Sequence, residues 1–379
     1  MSDCKTVRLG DVATYINGYA FKPSDWGTEG LPIIRIQNLT GNDYETNFYN
    51  GKIPEKYFVK NGDVLISWSA SLGVYEWKKN DALLNQHIFK VVFDKLEVDK
   101  KYFMFTVSNL LNAMSKQTHG STMRHITKPD FDNMPFPLPP IEKQKQIARK
   151  LDKCNELILK NNRILEKYDL LIKSRFIEMF GDPVQNPMGW EKTELGNMCK
   201  EVRYGTSKPA TENGIYTYLR MNNITFEGEL DLANTKTIDI SDEELPKCSV
   251  QKGDILFNRT NSIELCGKTC LYKLDETMVI AGYIIRVRVN EKLNPQYVST
   301  FFNTKSIKKL LREMAKGAVN QANINAQEMQ SIQIPVPPIA LQNEYDGFVQ
   351  QIDKSKFAVQ KSLEKAETLF KSLMQEYFN

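Results

Sequence analysis

The sequence predicts an α+β chain: two similar mixed α/β globular domains separated by a long antiparallel helical, coiled-coil pair and related by an internal pseudo-two-fold repeat. Three observations predict it. At 379 residues the chain is long enough for two or three domains. Three landmarks occur twice in the same order. Two long stretches carry apolar residues at heptad spacing with almost no helix breaker.

The landmarks define the repeat. Leu9-Gly10-Asp11-Val12 answers Leu195-Gly196-Asn197-Met198. Asn61-Gly62-Asp63-Val64-Leu65-Ile66-Ser67 answers Lys252-Gly253-Asp254-Ile255-Leu256-Phe257-Asn258. Pro137-Leu138-Pro139-Pro140-Ile141 answers Pro335-Val336-Pro337-Pro338-Ile339, with Gln144 and Gln342 each following at the same distance. The offsets drift through 186, 191 and 198, so the second copy carries insertions between fixed points.

Within each copy, Leu31–Ile36, Val64–Trp68, Ile88–Phe93, Ile255–Phe257 and Ala281–Val289 are short, β-branched or aromatic, and bounded by Gly, Asn or Asp. They read as strands of a curled, irregular sheet. Tyr102–Ser115 and Pro295–Lys316 read as helices. The Pro-rich exits cannot lie inside a helix, because each Pro fixes φ and lacks a donor, so helix begins at the last Pro. The expected division is therefore a globular domain at 1–139, a helix at 140–180, a second domain at 181–337 and a second helix at 338–379.

The first stripe is Ile147, Leu151, Cys154, Ile158, Leu165, Tyr168, Ile172 and Met179, with Asn161 as a polar, register-setting seam position. The second is Tyr345, Phe348, Ile352, Val359, Ala366, Leu369 and Leu373. Stripes of matched length, on helices of net charge +4 and −1, favour pairing within the chain.

Composition excludes several classes. Hydrophobic residues at 41% and charged residues at 25% are ordinary for a folded protein. No apolar run is long enough to span a bilayer and no signal peptide opens the chain, so no membrane partner is expected. Six scattered cysteines without a CxxC pair fit a reducing cytoplasm, and Cys266 and Cys270 have no second pair at zinc spacing. No metal or cofactor is expected. Gly267-Lys268-Thr269 lacks the first glycine of a P-loop, where Ser262 stands, and no dinucleotide, HExxH, GxSxG or amino-methyltransferase signature occurs. His87, His119 and His125 all fall in the first copy, so duplicated acid–base chemistry is not expected and no catalytic residue is assigned. The domains carry net charges of only +1 and 0, so any nucleic-acid role must rest on side-chain identity rather than bulk charge.

Polar and aromatic residues cluster on expected loops. In the first copy these are Arg35, Gln37 and Asn38; Trp68, Ser69 and Ser71; Gln86 and His87; and Arg124 and His125 after Gly120. The second copy offers Arg220, Asn222 and Asn223; Arg259, Thr260 and Asn261; and Asn320, Gln321 and Asn323 after Gly317. Arg reads guanine and Asn or Gln reads adenine by paired hydrogen bonds, while Ser and Thr read either. The same side chains also fill ordinary loops, or touch only phosphate. Arg259 leaves its strand where the first copy has Trp68.

The order of domain, Pro-Pro-Ile-x-x-Gln exit, long helix, Phe180-Gly181-Asp182-Pro183 with Asn186-Pro187 and Gly189-Trp190, second domain, second exit and final helix resembles the specificity subunit of type I restriction–modification enzymes. The resemblance covers the whole chain. It implies a non-catalytic targeting subunit with two target recognition domains, each reading half of an asymmetric bipartite DNA site across a gap set by the helices. It implies double-stranded DNA as ligand and two methyltransferase (modification) subunits, which bind S-adenosylmethionine and methylate adenine, docking on the spacer helices. ATP-dependent restriction subunits would join them. The alternative is a coiled-coil scaffold whose two globular domains bind protein partners.

Overall fold

Val64–Ser67 is apolar at three of four positions and buried at all of them, as a central strand must be. It pairs antiparallel with Gly73–Glu76 on one side and Ile88–Val92 on the other, and Thr14–Asn17 completes a four-stranded sheet. A second sheet orders Phe48–Tyr49, Leu31–Ile34, Ala82–Leu84 and Phe58–Val59, its central pair parallel. Lys5–Arg8 pairs with Pro135–Leu138 in a separate ribbon. These elements belong to a computed structural model that describes residues 4–41, 46–69, 71–117, 126–315 and 322–378. One curled sheet was expected from the sequence; the domain instead has two sheets and a ribbon.

The whole plan is built again further along the chain. Cys199–Tyr204, Ile284–Val289, Ile255–Asn258 and Thr269–Leu271 repeat the first sheet in the same order. Lys236–Ile238, Tyr216–Leu219, Met278–Ile280 and Ser249–Val250 repeat the second, parallel pair included. Lys192–Glu194 with Gln333–Pro335 repeats the ribbon. The chain divides into two compact units, residues 1–162 with 361–379, and residues 163–360.

The long helices run from Ile141 to Phe180 and from Ile339 to Phe378, each starting directly after its last proline. They are antiparallel in both units. In the first unit Lys150 meets the Tyr377 hydroxyl at 3.1 Å, and buried Asn161 donates to Ser362 Oγ at 3.2 Å. In the second, Lys356 reaches Asp169 at 2.7 Å and Arg175 reaches Glu344 at 3.4 Å. Among the described residues, no helix is long and apolar enough to cross a membrane.

Each unit has a core in which helices and sheet share the same side chains. Tyr15, Phe89, Phe103, Phe131 and Phe136 pack with Ile147, Ala148 and Leu151, and Phe370 closes on Phe105. In the second unit Phe176 stacks on Tyr297 at 5.3 Å and meets Tyr345 edge-on at 5.6 Å. The heptad seam is corrected here. Leu369 is 51% exposed, whereas Phe176, Val349 and Leu363, outside the expected stripe, are buried. The stripe faces a domain as well as the other helix, so its phase departs from a two-helix seam. The expected helix 295–316 is also corrected. It breaks into Pro295–Asn303 and Lys305–Met314 because Thr304 is extended and its side chain accepts from Ile307 N as an N-cap. Ala281 to Tyr283 form a turn ahead of a strand that starts at Ile284.

The link at 180–190 ties itself. Asp182 Oδ1 accepts from Val184 N and Gln185 N, Asn186 exchanges hydrogen bonds with the Trp190 backbone, and Trp190 Nε1 donates to the Phe180 carbonyl at 3.1 Å.

Both exits are fixed by one glutamine. Gln144 Oε1 accepts from Asp99 N at 2.9 Å and its Nε2 donates to the Pro139 carbonyl at 2.8 Å. Gln342 does the same with Asn294 N at 2.9 Å and Pro337 at 2.7 Å, adding the Lys292 carbonyl at 3.1 Å. Both side chains are buried. Tyr102 and Tyr297 donate to the Pro137 and Pro335 carbonyls, each at 2.9 Å. Gln342→Leu strands several buried backbone groups and is expected to cost about 2–3 kcal/mol, with Gln144→Leu similar. Thermal and denaturant unfolding of the two variants measure this, and a loss below about 0.5 kcal/mol contradicts the clamp.

Candidate nucleic-acid interface

Equivalent hydrogen bonds build the same loop frame in each domain. In the first, Gly18 N donates to the Ile88 carbonyl (3.1 Å), Tyr19 N to Leu84 (2.9 Å), Gln86 N to Tyr19 (2.8 Å) and Trp68 N to His87 (3.3 Å). In the second, Gly205 N donates to Ile284 (3.1 Å), Thr206 N to Ile280 (2.9 Å), Gly282 N to Thr206 (2.8 Å) and Arg259 N to Tyr283 (2.9 Å). Gly18 and Gly205 are required, since a Cβ there would fall 1.9 Å from the Asn85 carbonyl oxygen and 2.1 Å from that of Ile280. Trp68 is thus the counterpart of Arg259 and His87 that of Tyr283. Asn17, opposite Phe89, is the counterpart of Tyr204, opposite Ile285.

The sequence-predicted residues fall into three groups. Asn38 and Asn223 build turns: each is buried, and each Oδ1 accepts a backbone N–H, from Arg35 and Arg220 respectively, at 2.9 Å. Asn223 Nδ2 also donates to the Asp231 carbonyl at 2.8 Å. A side chain spent on its own turn has little left for a base edge.

Other residues hold the frame or stand on its surface. Ser67 fastens its own loop by donating to the Ser69 and Ser71 carbonyls at 3.2 and 2.5 Å, with Ser69 buried and Ser71 exposed. Thr260 Oγ1 donates to Asn323 Oδ1 at 2.9 Å across a short antiparallel pair, and Asn261 Oδ1 accepts from Ser262 N. The Arg220 guanidinium donates to the Asn234 carbonyl at 2.8 Å. Gln37 and Gln86 are half-buried, and Asn222 is exposed. Arg124, His125, Asn320 and Gln321 lie outside the described residues.

The third group is aromatic and cationic. The Arg35 guanidinium lies 5.2 Å over Trp26, itself 43% exposed. Trp68 donates to Asn17 Oδ1 at 3.3 Å and packs against Phe89 at 5.6 Å and His87 at 5.0 Å. His87 has φ +71°, uncommon outside glycine. The Arg259 guanidinium lies 4.9 Å over the Tyr204 ring. Asn258 Nδ2 and Lys268 Nζ both donate to the Met221 carbonyl, at 3.2 and 2.7 Å, so the 220–223 turn and the 258–261 strand exit form one surface. Lys268 is buried in this internal contact, which burial accompanies by pushing its pKa down.

Asn17, Trp26, Tyr204 and Tyr283 were missed from sequence. Gly18 and Gly205 could have flagged two of them, since they sit at an offset of 187, within the drift of the repeat landmarks. Among the described residues, no group of three or more His, Cys, Asp or Glu is placed to hold a metal, and burial pushes the Cys266 and Cys270 thiols up to about 11 and about 12.

A family model described as the type I restriction modification DNA specificity domain matches the chain twice, at residues 1–168 and 187–367. The EcoBI specificity subunit of Escherichia coli is 24% identical over 98% of this chain and 85% of its own length. The MjaVIII specificity subunit of Methanocaldococcus jannaschii is 25% identical over 98% and 91%. The crystal structure of a type I restriction–modification S subunit from M. genitalium shares the fold with TM-score 0.61 and 16% identity, covering 100% and 96% of the two chains. One loop frame built twice and given different side chains defines a two-domain recognition protein. The chain belongs to the type I restriction–modification DNA specificity family, as a specificity subunit with two target recognition domains. Its role is recognition rather than catalysis, and the protein-scaffold alternative is not favoured.

Asn38→Ala and Asn223→Ala are expected to lower stability by about 1–3 kcal/mol while the base preference of the assembled protein stays the same. Unfolding curves and selection from a randomised duplex pool check both halves of this statement, and a changed preference at normal stability contradicts it.

Proposed function

We propose that the domains at 1–139 and 181–337 each read one half of an asymmetric, interrupted double-stranded DNA site. The bound subunit directs adenine methylation by two modification subunits and ATP-dependent cleavage by restriction subunits. The observation that carries this reading is the exchange of side chains on one frame: Trp68 and His87 in one domain stand where Arg259 and Tyr283 stand in the other. Two readers of one design with different surfaces select different elements. The contributing residues are Arg35, Gln37, Trp68, Ser69, Ser71, Gln86, His87, Arg124 and His125 in the first half, and Arg220, Asn222, Arg259, Thr260, Asn261, Asn320, Gln321 and Asn323 in the second. Near-neutral domains fit this role when partner subunits supply much of the phosphate contact.

Exposed apolar side chains on the helices support docking of the modification subunits there. Leu157 and Leu159 in the first unit and Leu170, Leu171 and Ile177 in the second are 43–64% exposed.

Fluorescence anisotropy with random against cognate duplex, with the modification subunit present, tests the reading. Cognate binding is expected to exceed random by at least about a thousandfold, and equal binding contradicts it. The purified chain alone is expected to bind no S-adenosylmethionine by calorimetry, and detectable binding overturns its assignment as a targeting subunit.

A further inference from the structure

The second domain contains six arginines between 181 and 337, and five are committed inside the fold. Arg203 and Arg286 reach Glu201 at 3.1 and 2.9 Å, Arg288 reaches Asp254 at 2.6 Å, and Arg220 and Arg312 donate to the Asn234 and Lys308 carbonyls. Arg259 is different. Its side chain makes no hydrogen bond or ion pair among the described residues, and its Nε, like those of Arg220 and Arg286, is buried without an acceptor there.

Its orientation is nevertheless fixed. The backbone is clamped on both sides, N–H to the Tyr283 carbonyl and carbonyl to Ile324 N, each at 2.9 Å. The guanidinium rests on Tyr204, whose hydroxyl accepts from Ala326 N at 2.9 Å and whose backbone is paired opposite Ile285. A stacked guanidinium keeps its planar edge of donors available for a planar acceptor pair. Holding a phosphate requires charge but not this orientation; the O6 and N7 atoms of guanine in the major groove require both. The first domain carries another solution at the same position. Trp68 presents a ring whose Nε1 donates to Asn17 Oδ1, and an indole has no second donor to span O6 and N7.

We infer that Tyr204 and Arg259 form a guanine-selecting pair, with Tyr204 as the positioning residue, and that the equivalent Asn17 and Trp68 pair does not select guanine. This rests on the two domains reading duplex DNA as proposed above. The inference fixes one base of the second half-site and removes guanine selection from the matching place in the first.

The test assembles the full chain with its modification subunits and sequences the sites they methylate in a randomised duplex pool. The native complex is expected to require a guanine at one position of one half-site. Arg259→Ala and Arg259→Lys each relax that position alone, by roughly tenfold or more. Tyr204→Leu relaxes the same position, while Tyr204→Phe, which keeps the ring, preserves it. Normal assembly and unfolding midpoints establish that each variant is folded, and the charge-preserving Arg259→Lys keeps the test decisive if Arg259→Ala is not. Uniform weakening on every duplex, with the salt slope lowered by about one, makes Arg259 a phosphate contact and overturns the inference. So does an unchanged guanine preference in either Arg259 variant. A native complex that selects no sequence overturns the DNA-reading proposal itself, and this inference with it.

Discussion

The apolar face of each long helix cannot be left in water, and covering it determines where everything else goes. Each face is covered twice, by the other helix and by the core of a recognition domain. Phe176 is fully buried among Phe180, Tyr297 and Tyr345, so one ring serves the helix, the domain and the opposing helix together. Truncating a buried ring of this kind costs about 3–5 kcal/mol. A domain that turned on its helices would expose such rings and break the glutamine clamp beside them. The loop frame therefore inherits its position from this hydrophobic packing.

Charge is handled in the same economical way. In the second domain Arg286 is fully buried, held by Glu201 and by the Pro246 and Ser249 carbonyls, while Arg288 pairs with both Glu201 and buried Asp254. Burial opposes ionisation of Glu201, yet its hydrogen bond to Arg203 and the charges of Arg286 and Arg288 hold the carboxyl below its ordinary range. Buried ions are tolerable only when every member is paired. Each ion of this network has an opposite charge beside it, and the network consumes half of the domain's six arginines. A nearly neutral domain with one oriented guanidinium free of hydrogen bonds among the described residues fits the proposed selection by geometry rather than by attraction to the DNA backbone.

The parts of this design that were legible in the sequence are those that repeat. Duplicated Gly-Asp turns, proline exits and glutamines marked the strand entries and the helix starts because each serves a backbone requirement that any copy must meet. Thr304 was not legible: the apolar pattern runs straight through it, and only its choice of an extended, capping conformation divides the helix. Leu369 was misplaced because heptad spacing carries no information about a third surface. The turn-building hydrogen bonds of Asn38 and Asn223 were not legible because a turn-building asparagine and a base-reading one have the same composition and neighbourhood. What separates them is the direction of the side chain, which appears only after folding. Tyr204 was hidden for the opposite reason, as an unremarkable tyrosine made important by the residue beneath which its strand places it.

The central claim is that one frame, built twice, takes its selectivity from the side chains mounted on it. The most direct measurement is a transplant. Asn17→Tyr and Trp68→Arg together place the second domain's pair on the first domain's frame, and the methylated sites of the assembled complex are sequenced. The account predicts that the first half-site gains a guanine requirement at one position while the second half-site is unchanged. A folded, assembled double variant whose first half-site is read as before, or whose second half-site changes instead, contradicts it.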